Sequence, residues 1–337
     1  MRFPMTVLVV FIHSNVGDLK MHGIEITGGG KLYRCVYEFI SHGVSACAVP
    51  LFFVLSGYLF FATVKEWSIK CYLRKQKNRM RSLVAPYLFW NTLLLTFFFL
   101  VQTFIPQMTS GSHMPIAEYG TKEFLMAYWD LGEGSPICGP MWFVRDLILF
   151  SMLTIFLYPI ISRKVIGLFV VILIFFLPSP INAIFYFALG AWLGFHKIDF
   201  LLLCRKMGRM LAIPYLVVLI AMTVLAINNV KLGWLTSVSA ILGMIVFVCL
   251  IDITIKNKRC EAFLTSLSDS SFFVFAAHQA PLLMLCKLWA GAIPASDGVM
   301  ISGYFILPFM MIVLCLTAYY IIKRYTPFLL TIMTGGR

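Results

Sequence analysis

Long apolar runs, broken by short polar loops, repeat along the whole chain. A helix that crosses a bilayer needs about 20 mostly apolar residues. The runs at 3–17, 43–64, 83–105, 141–161, 165–178, 181–196, 209–228, 234–252, 271–290 and 301–322 are the candidates. They predict an all-α, polytopic transmembrane helix bundle of about ten spans. The runs at 141–161, 209–228 and 301–322 are the cleanest. Those at 165–178 and 181–196 are short, with only Pro178-Ser179-Pro180 between them. The first run is short as well; a start further upstream, or local thinning of the bilayer, would complete it.

The loops are sorted by charge. Arg2 precedes the first run. Lys65, Lys70, Arg74, Lys75, Lys77, Arg79 and Arg81 follow the second, and Arg163 and Lys164 follow the fourth. Lys197, Arg205, Lys206 and Arg209 follow the sixth, Lys256, Lys258 and Arg259 the eighth, and Lys323, Arg324 and Arg337 the tenth. The intervening loops hold only Lys20, Lys31, Arg34, Lys122, Lys231 and Lys287. The longest of them, 106–140, carries Glu118, Glu123, Asp130 and Glu133. Basic loops stay on the cytoplasmic side, so an even number of spans with both termini cytoplasmic is expected.

Composition agrees. The chain is 61% hydrophobic and 12% charged, with a mean hydropathy of +0.90, whereas a soluble domain carries about 25% charge. Lipid is the solvent over most of its length, and no stretch is polar enough for a separate soluble domain. The net charge of +13 is accounted for by the loop bias and implies no nucleic-acid partner. The nine cysteines are scattered without a CxxC pair, and the histidines lack ligand spacing, so no metal site is proposed. No GxSxG, P-loop or GxGxxG stands in a usable context. No internal repeat of the kind many transporters show is visible, and nothing speaks to the oligomeric state.

Ionisable groups at membrane depth are costly, so each can be weighed. Arg2 and His13 are eleven positions apart. On a helix that is three turns plus about 20°, which puts both on one face about 16 Å apart along the axis. A cation at the cytoplasmic surface and an imidazole deeper in would suit an anionic cofactor and proton transfer from a hydroxyl. A snorkelling arginine and a histidine bonded between helices would produce the same pattern. FFVLSGYLFF (52–61) places Ser56, Gly57 and Tyr58 in mid-span, either as polar lining or as small-residue packing. RKQKNRMRSLVAPY (74–87) concentrates Lys75, Arg79 and Arg81, for phosphates or for topology alone. PMWFVRDLILF (140–150) sets Trp142, Arg145 and Asp146 at the outer end of a span, to meet an acceptor or to form structural pairs. His278 lies within FFVFAAHQAPLL (272–283), functional or merely bonded between helices.

Taken in order, these segments resemble the acyltransferase-3 family of membrane acyltransferases, which modify bacterial surface polysaccharides. That family carries an arginine, ten intervening residues and a histidine in its first span, matched by Arg2 and His13. It follows with FFxLSG[FY], matched by Phe52 to Tyr58. An RxxR-like basic loop before a proline and an aromatic is approximated by Arg79, Arg81 and Pro86-Tyr87. Trp142-Phe143, the YFxLGxxL segment Tyr186 to Leu193, and a late YxxH with Phe275 in place of tyrosine complete the series. The resemblance runs from Arg2 to about Pro281, and 1–337 reads as a single acyltransferase-3-like transmembrane domain.

The resemblance implies a multi-pass protein of the bacterial inner membrane. It would move an acyl group, most often acetyl, from cytoplasmic acyl-coenzyme A to a hydroxyl of a cell-surface or lipid-linked glycan. Arg79, Arg81 and Lys75 would hold the coenzyme phosphates, and Arg2 its thioester end. His13 would be general base or transient acyl carrier. Ser56 and Tyr58 would line the tunnel, and Arg145, Asp146, Trp142 and His278 would lie on the substrate side. A transporter or flippase for a lipid-linked sugar would use the same polar groups without chemistry. Cys35 and Cys138 fall in the first two outer loops, where they could pair or remain two free thiols.

Overall fold

The structure is a computed structural model and describes residues 1–21, 24–27, 29–64, 66–105, 114–130, 134–177, 183–292 and 296–336. The Pro178-Ser179-Pro180 separator, Lys65, His22, His113 and Glu133 lie outside the described residues. Helices dominate, with a single short antiparallel hairpin between Asp18–Met21 and Ile24–Thr27 among the described residues.

Among the described residues, every apolar run contains a helix or a bent pair of helices. Five continuous helices are long and apolar enough to cross a membrane: Lys31–Ala62, Ile69–Phe104, Phe200–Ile227, Gly233–Thr254 and Asp297–Tyr325. Two further segments pass only as bent pairs: Gly139–Met152 with Thr154–Ile161, bent by 63°, and Lys258–Ala277 with Gln279–Ala292, bent by 65°. Arg2–Ile12, Lys164–Phe175 and Ala183–Phe195 are apolar but shorter. The first run is therefore helical only to Ile12, and His13 sits just past the helix end rather than within it.

The solvent these helices require is legible on their surfaces. Met210, Ile213, Val217, Ile220 and Val224 are all more than half exposed, and their spacing puts them on one side of Phe200–Ile227. Ile306, Phe309 and Val313 do the same on Asp297–Tyr325. Apolar stripes of this extent are stable against lipid tails, not water. The protein is a multi-pass membrane protein.

The chain forms two compact units. The first comprises Met1–Met5, His42–Met80 and Asp146–Ser268, the second Thr6–Ser41, Arg81–Arg145 and Asp269–Arg337. In the first, Ala183–Phe195 packs along Ala48–Ala62. A Cβ on Gly57 would overlap the carbonyl of Phe187, and one on Gly190 the carbonyl of Val54. The backbones approach closely because neither glycine has a side chain, the means by which helices associate where lipid removes the hydrophobic drive. Phe200–Ile227 and Gly233–Thr254 form an antiparallel pair, clamped near one end by the two-pronged bond from Arg205 to Asp252 (2.6 and 2.8 Å).

In the second unit, Asp297–Tyr325 is the spine. Phe11 meets Tyr304 and Phe309 edge-on, at 5.5 and 5.7 Å between ring centroids. The indole N–H of Trp90 donates to the carbonyl of Met333 (2.9 Å), which ties the terminal helix Pro327–Thr334 to Ala85–Phe104.

The Gly57 contact makes a measurable statement. Gly57→Leu forces apart two backbones and is expected to destabilise the protein by about 1–3 kcal/mol or more. Leu59→Ala, at an exposed neighbour, is expected to cost less than about 0.5 kcal/mol. Thermal unfolding of the detergent-solubilised variants checks both; equal midpoints would contradict the close-packed crossing.

Candidate active site

The second bent pair breaks at His278. Pro281 is the cause: it lacks an N–H, and its ring crowds the carbonyl four residues earlier, at Ala277. Leu282 N–H then resumes the ladder on the carbonyl of His278 (3.0 Å). The break leaves His278 at the junction of Ser271–Ala277 and Gln279–Ala292.

His278 is fully buried. Its Nδ1 lies 2.8 Å from the carbonyl oxygen of Phe275 and 3.1 Å from that of Val274. Carbonyl oxygens only accept, so Nδ1 carries the ring proton and donates. In a neutral imidazole the lone pair is then on Nε2, and that atom has no hydrogen-bond partner among the described residues.

His13 faces it. The two ring centroids are 5.2 Å apart, with the planes tilted by 46°. His13 Nδ1 is 3.2 Å from the side-chain nitrogen of Gln279. The segment bearing His13 is held on both sides. The hydroxyl of Thr6 donates to the carbonyl of Ser271 (3.4 Å). The carbonyl of Phe11, at the helix end, accepts from the backbone N–H of Ser14 (3.3 Å) and from the hydroxyls of Ser14 (3.1 Å) and Ser41 (2.6 Å). Beyond it, the hydroxyl oxygen of Tyr33 accepts from the backbone N–H groups of Val16 and Gly17 (2.9 and 3.0 Å). These bonds satisfy the orphan groups of a short helix and so fix where His13 stands.

A third wall comes from Gly139–Met141 and the start of Trp142–Met152. A Cβ on Gly139 would overlap the side-chain oxygen of Gln279. The turn before it is anchored by Asn91, which is fully buried. Asn91 accepts from the N–H of Cys138 (3.0 Å) and donates to the carbonyl of Tyr87 (2.8 Å). Phe143 meets Phe275 edge-on at 5.8 Å, beside the half-buried Trp142. Cys138 is fully buried, its thiol 3.8 Å from the carbonyl of Ala276. Cys35 and Cys138 are both free thiols, so the structure resolves that pair against a disulfide: Cys138 is packed into the wall.

The other expected residues fall elsewhere. Arg145 is buried, and its guanidinium donates to the backbone carbonyl of Asp130 at the end of the helix Thr121–Trp129. Asp146 follows it, also buried. Arg2 is exposed at the opposite end of the Arg2–Ile12 helix from His13. In the first unit, Ser56 and Tyr58 are half-buried on Ala48–Ala62. Lys75 donates to the carbonyl of Phe60 (2.6 Å) and the hydroxyl of Thr63 (3.1 Å). It thereby closes the C-terminal end of that helix, where carbonyls and dipole favour a cation. Lys75 and Arg79 also lie over the ring of Phe60, at 4.8 and 5.6 Å. Arg74, Lys77 and Arg81 are exposed. Among the described residues no three His, Cys, Asp or Glu side chains gather as a metal site.

Gln279, Asn91 and Thr6 escape a reading of the sequence. Each is a lone amide or hydroxyl in an apolar run, the residue type that bonds between helices. That signal marks them as bonded without naming the partner.

Fold and site together define an integral membrane protein with an imidazole pair built into its helices. The chain belongs to the acyltransferase-3 family, whose model, an acyltransferase domain, matches residues 1–320; it is a membrane acyltransferase. It is 24% identical over 353 residues to the succinoglycan biosynthesis protein ExoH of Rhizobium meliloti (strain 1021), an alignment that covers 100% of this chain and 91% of that protein. No solved structure matches.

Gly139 offers a probe of the wall that does not touch either histidine. Gly139→Val is expected to displace the Gln279 side chain and with it His13, lowering the transfer rate by about 100-fold, the cost of an ångström-scale misplacement. A rate within twofold of wild type would show that the Gly139 contact does not position the site.

Proposed function

We propose that the whole chain, 1–337, acts as one catalytic domain in the inner membrane of a bacterium, with both termini cytoplasmic. It moves an acyl group, acetyl in the first instance, from cytoplasmic acyl-coenzyme A to a hydroxyl of a cell-surface or lipid-linked glycan. The observation that carries this reading is the placement of His13 beside a second buried imidazole. Such a pair has a use where a hydroxyl must lose a proton out of reach of water. The family supplies the acyl transfer, and the succinoglycan relative supports a polysaccharide acceptor.

The roles follow from position. Arg2 meets the donor at the cytoplasmic end of the first helix and directs its thioester end toward His13. His13 acts at the acceptor hydroxyl, as general base or as transient acyl carrier. Arg79 and Arg81 bind coenzyme phosphates with the exposed Arg74 and Lys77; Lys75 shapes that surface by holding the end of the helix that carries Ser56 and Tyr58. Arg145 shapes the acceptor side by holding the loop at Asp130, next to Asp146 and Trp142.

The test uses purified protein, radiolabelled acetyl-coenzyme A and the glycan of the producing cell. Wild type is expected to move label to the glycan. His13→Ala should lower kcat by about 100- to 10,000-fold, the usual contribution of general acid–base catalysis. Arg2→Ala should raise the donor KM. Label that stays on coenzyme A while a lipid-linked sugar crosses vesicles would identify a transporter instead.

A further inference from the structure

We propose that His278 is a positioning residue for His13, its bare Nε2 accepting the N–H of the His13 ring, and that Gln279 marks where the acceptor hydroxyl binds. This rests on the reading of His13 as the group that acts on that hydroxyl.

One hydrogen bond at His278 is unmade. A buried polar atom without a partner keeps its desolvation cost and gains nothing in return. A phenylalanine would fill the same space without that cost, so the orphan Nε2 of His278 calls for an explanation. Its tautomer is not adjustable, because two helical carbonyls hold the proton on Nδ1. Whatever approaches Nε2 has to be a donor.

His13 is placed to supply one. The amide N–H of Gln279 points at His13 Nδ1 from 3.2 Å, which makes that nitrogen the acceptor and leaves the ring proton on Nε2. The two imidazoles thus hold complementary tautomers, one with a donor and one with an acceptor on Nε2. A separation of 5.2 Å between ring centroids leaves about a hydrogen-bond length between the ring edges. A small rotation of His13, which is less deeply buried than His278, closes the bond.

The remaining lone pair of His13, on Nδ1, is covered by Gln279 in this state. An entering hydroxyl is the same kind of donor and replaces the amide there. The hydroxyl oxygen then bonds to the acyl carbon as its proton passes to Nδ1. The carbon–sulfur bond breaks, and the proton moves on to the departing sulfur, leaving coenzyme A as the thiol. While His13 is an imidazolium, its Nε2–H bonds to His278. A neutral acceptor is suited to this depth, because a buried carboxylate would itself need a charge partner. Gly139 completes the device, since only its missing side chain leaves room for the Gln279 amide.

The experiment compares His278→Phe, which keeps a ring without an acceptor, with His278→Asn, which restores one. His278→Phe is expected to lower kcat by about 100-fold with the donor KM within twofold, and His278→Asn to recover at least tenfold of that loss. Nitrogen NMR of wild type with isotope-labelled histidine is expected to show His278 protonated on Nδ1. Wild-type kcat in His278→Phe, or a proton on Nε2 of His278, overturns the proposal; the spectrum decides even if a variant fails to fold. If His13→Ala is inactive while His278→Phe is fully active, only this pairing falls. If His13→Ala is itself fully active, the transfer-centre reading falls with it.

Discussion

Hydrocarbon offers no hydrogen-bond partner, so each polar atom carried into the bundle has to be satisfied by the protein or reserved for a substrate. Much of the second unit can be understood from that constraint. The carbonyl of Phe11, left open where the first helix stops, is closed by Ser14 and Ser41. Asn91 spends its donor on one backbone and its acceptor on another. Arg145, expensive in an apolar interior, spends its guanidinium on the carbonyl of Asp130. Against that background the bare Nε2 of His278 stands out, because its ring is otherwise held as firmly as any of these.

The same constraint explains where the helices break. Irregular backbone at membrane depth survives only inside protein. The break at His278 is forced by Pro281, and the imidazole itself bonds the carbonyls of Val274 and Phe275 beside it. The break and the site are thus one feature: the residue that repairs the backbone is turned by that repair so that its other nitrogen is left over. The short first helix works alike, since ending at Ile12 leaves His13 on a turn, where the ring can rotate.

The all-helical membrane class was legible in the sequence because apolar runs are set by composition and length, both one-dimensional. The count of spans was not: five helices and two bent pairs are long enough to cross, and the helices of the other three runs are shorter. Arg2, His13 and His278 could be singled out because charge and imidazole are rare at depth. What the sequence withheld was pairing. Gln279 and His13 are far apart in the chain, and nothing local says that they touch. Gly57 could be read as allowing close helix approach, but the helix that approaches it, at Phe187, could not be named. Lys75 counted as one more cation in a basic loop, yet geometry gives it a structural bond at a helix end. The length of the first helix was misjudged for a related reason. Its terminators, Ser41 and Tyr33, lie beyond the run itself.

This division bears on the two clusters of polar residues differently. The basic loop keeps Arg74, Lys77 and Arg81 exposed, where charge is screened and any single contact is weak. An anion approaching that surface meets the sum of several charges rather than any one arginine, so the spacing of individual arginines matters little to the attraction. The imidazole site tolerates no such averaging. It has one lone pair on each ring, a tautomer fixed by two carbonyls and an amide whose room depends on a glycine. Attraction of an anion to a basic surface can be diffuse because it needs only sign, whereas proton transfer in a dry interior needs particular atoms at particular distances.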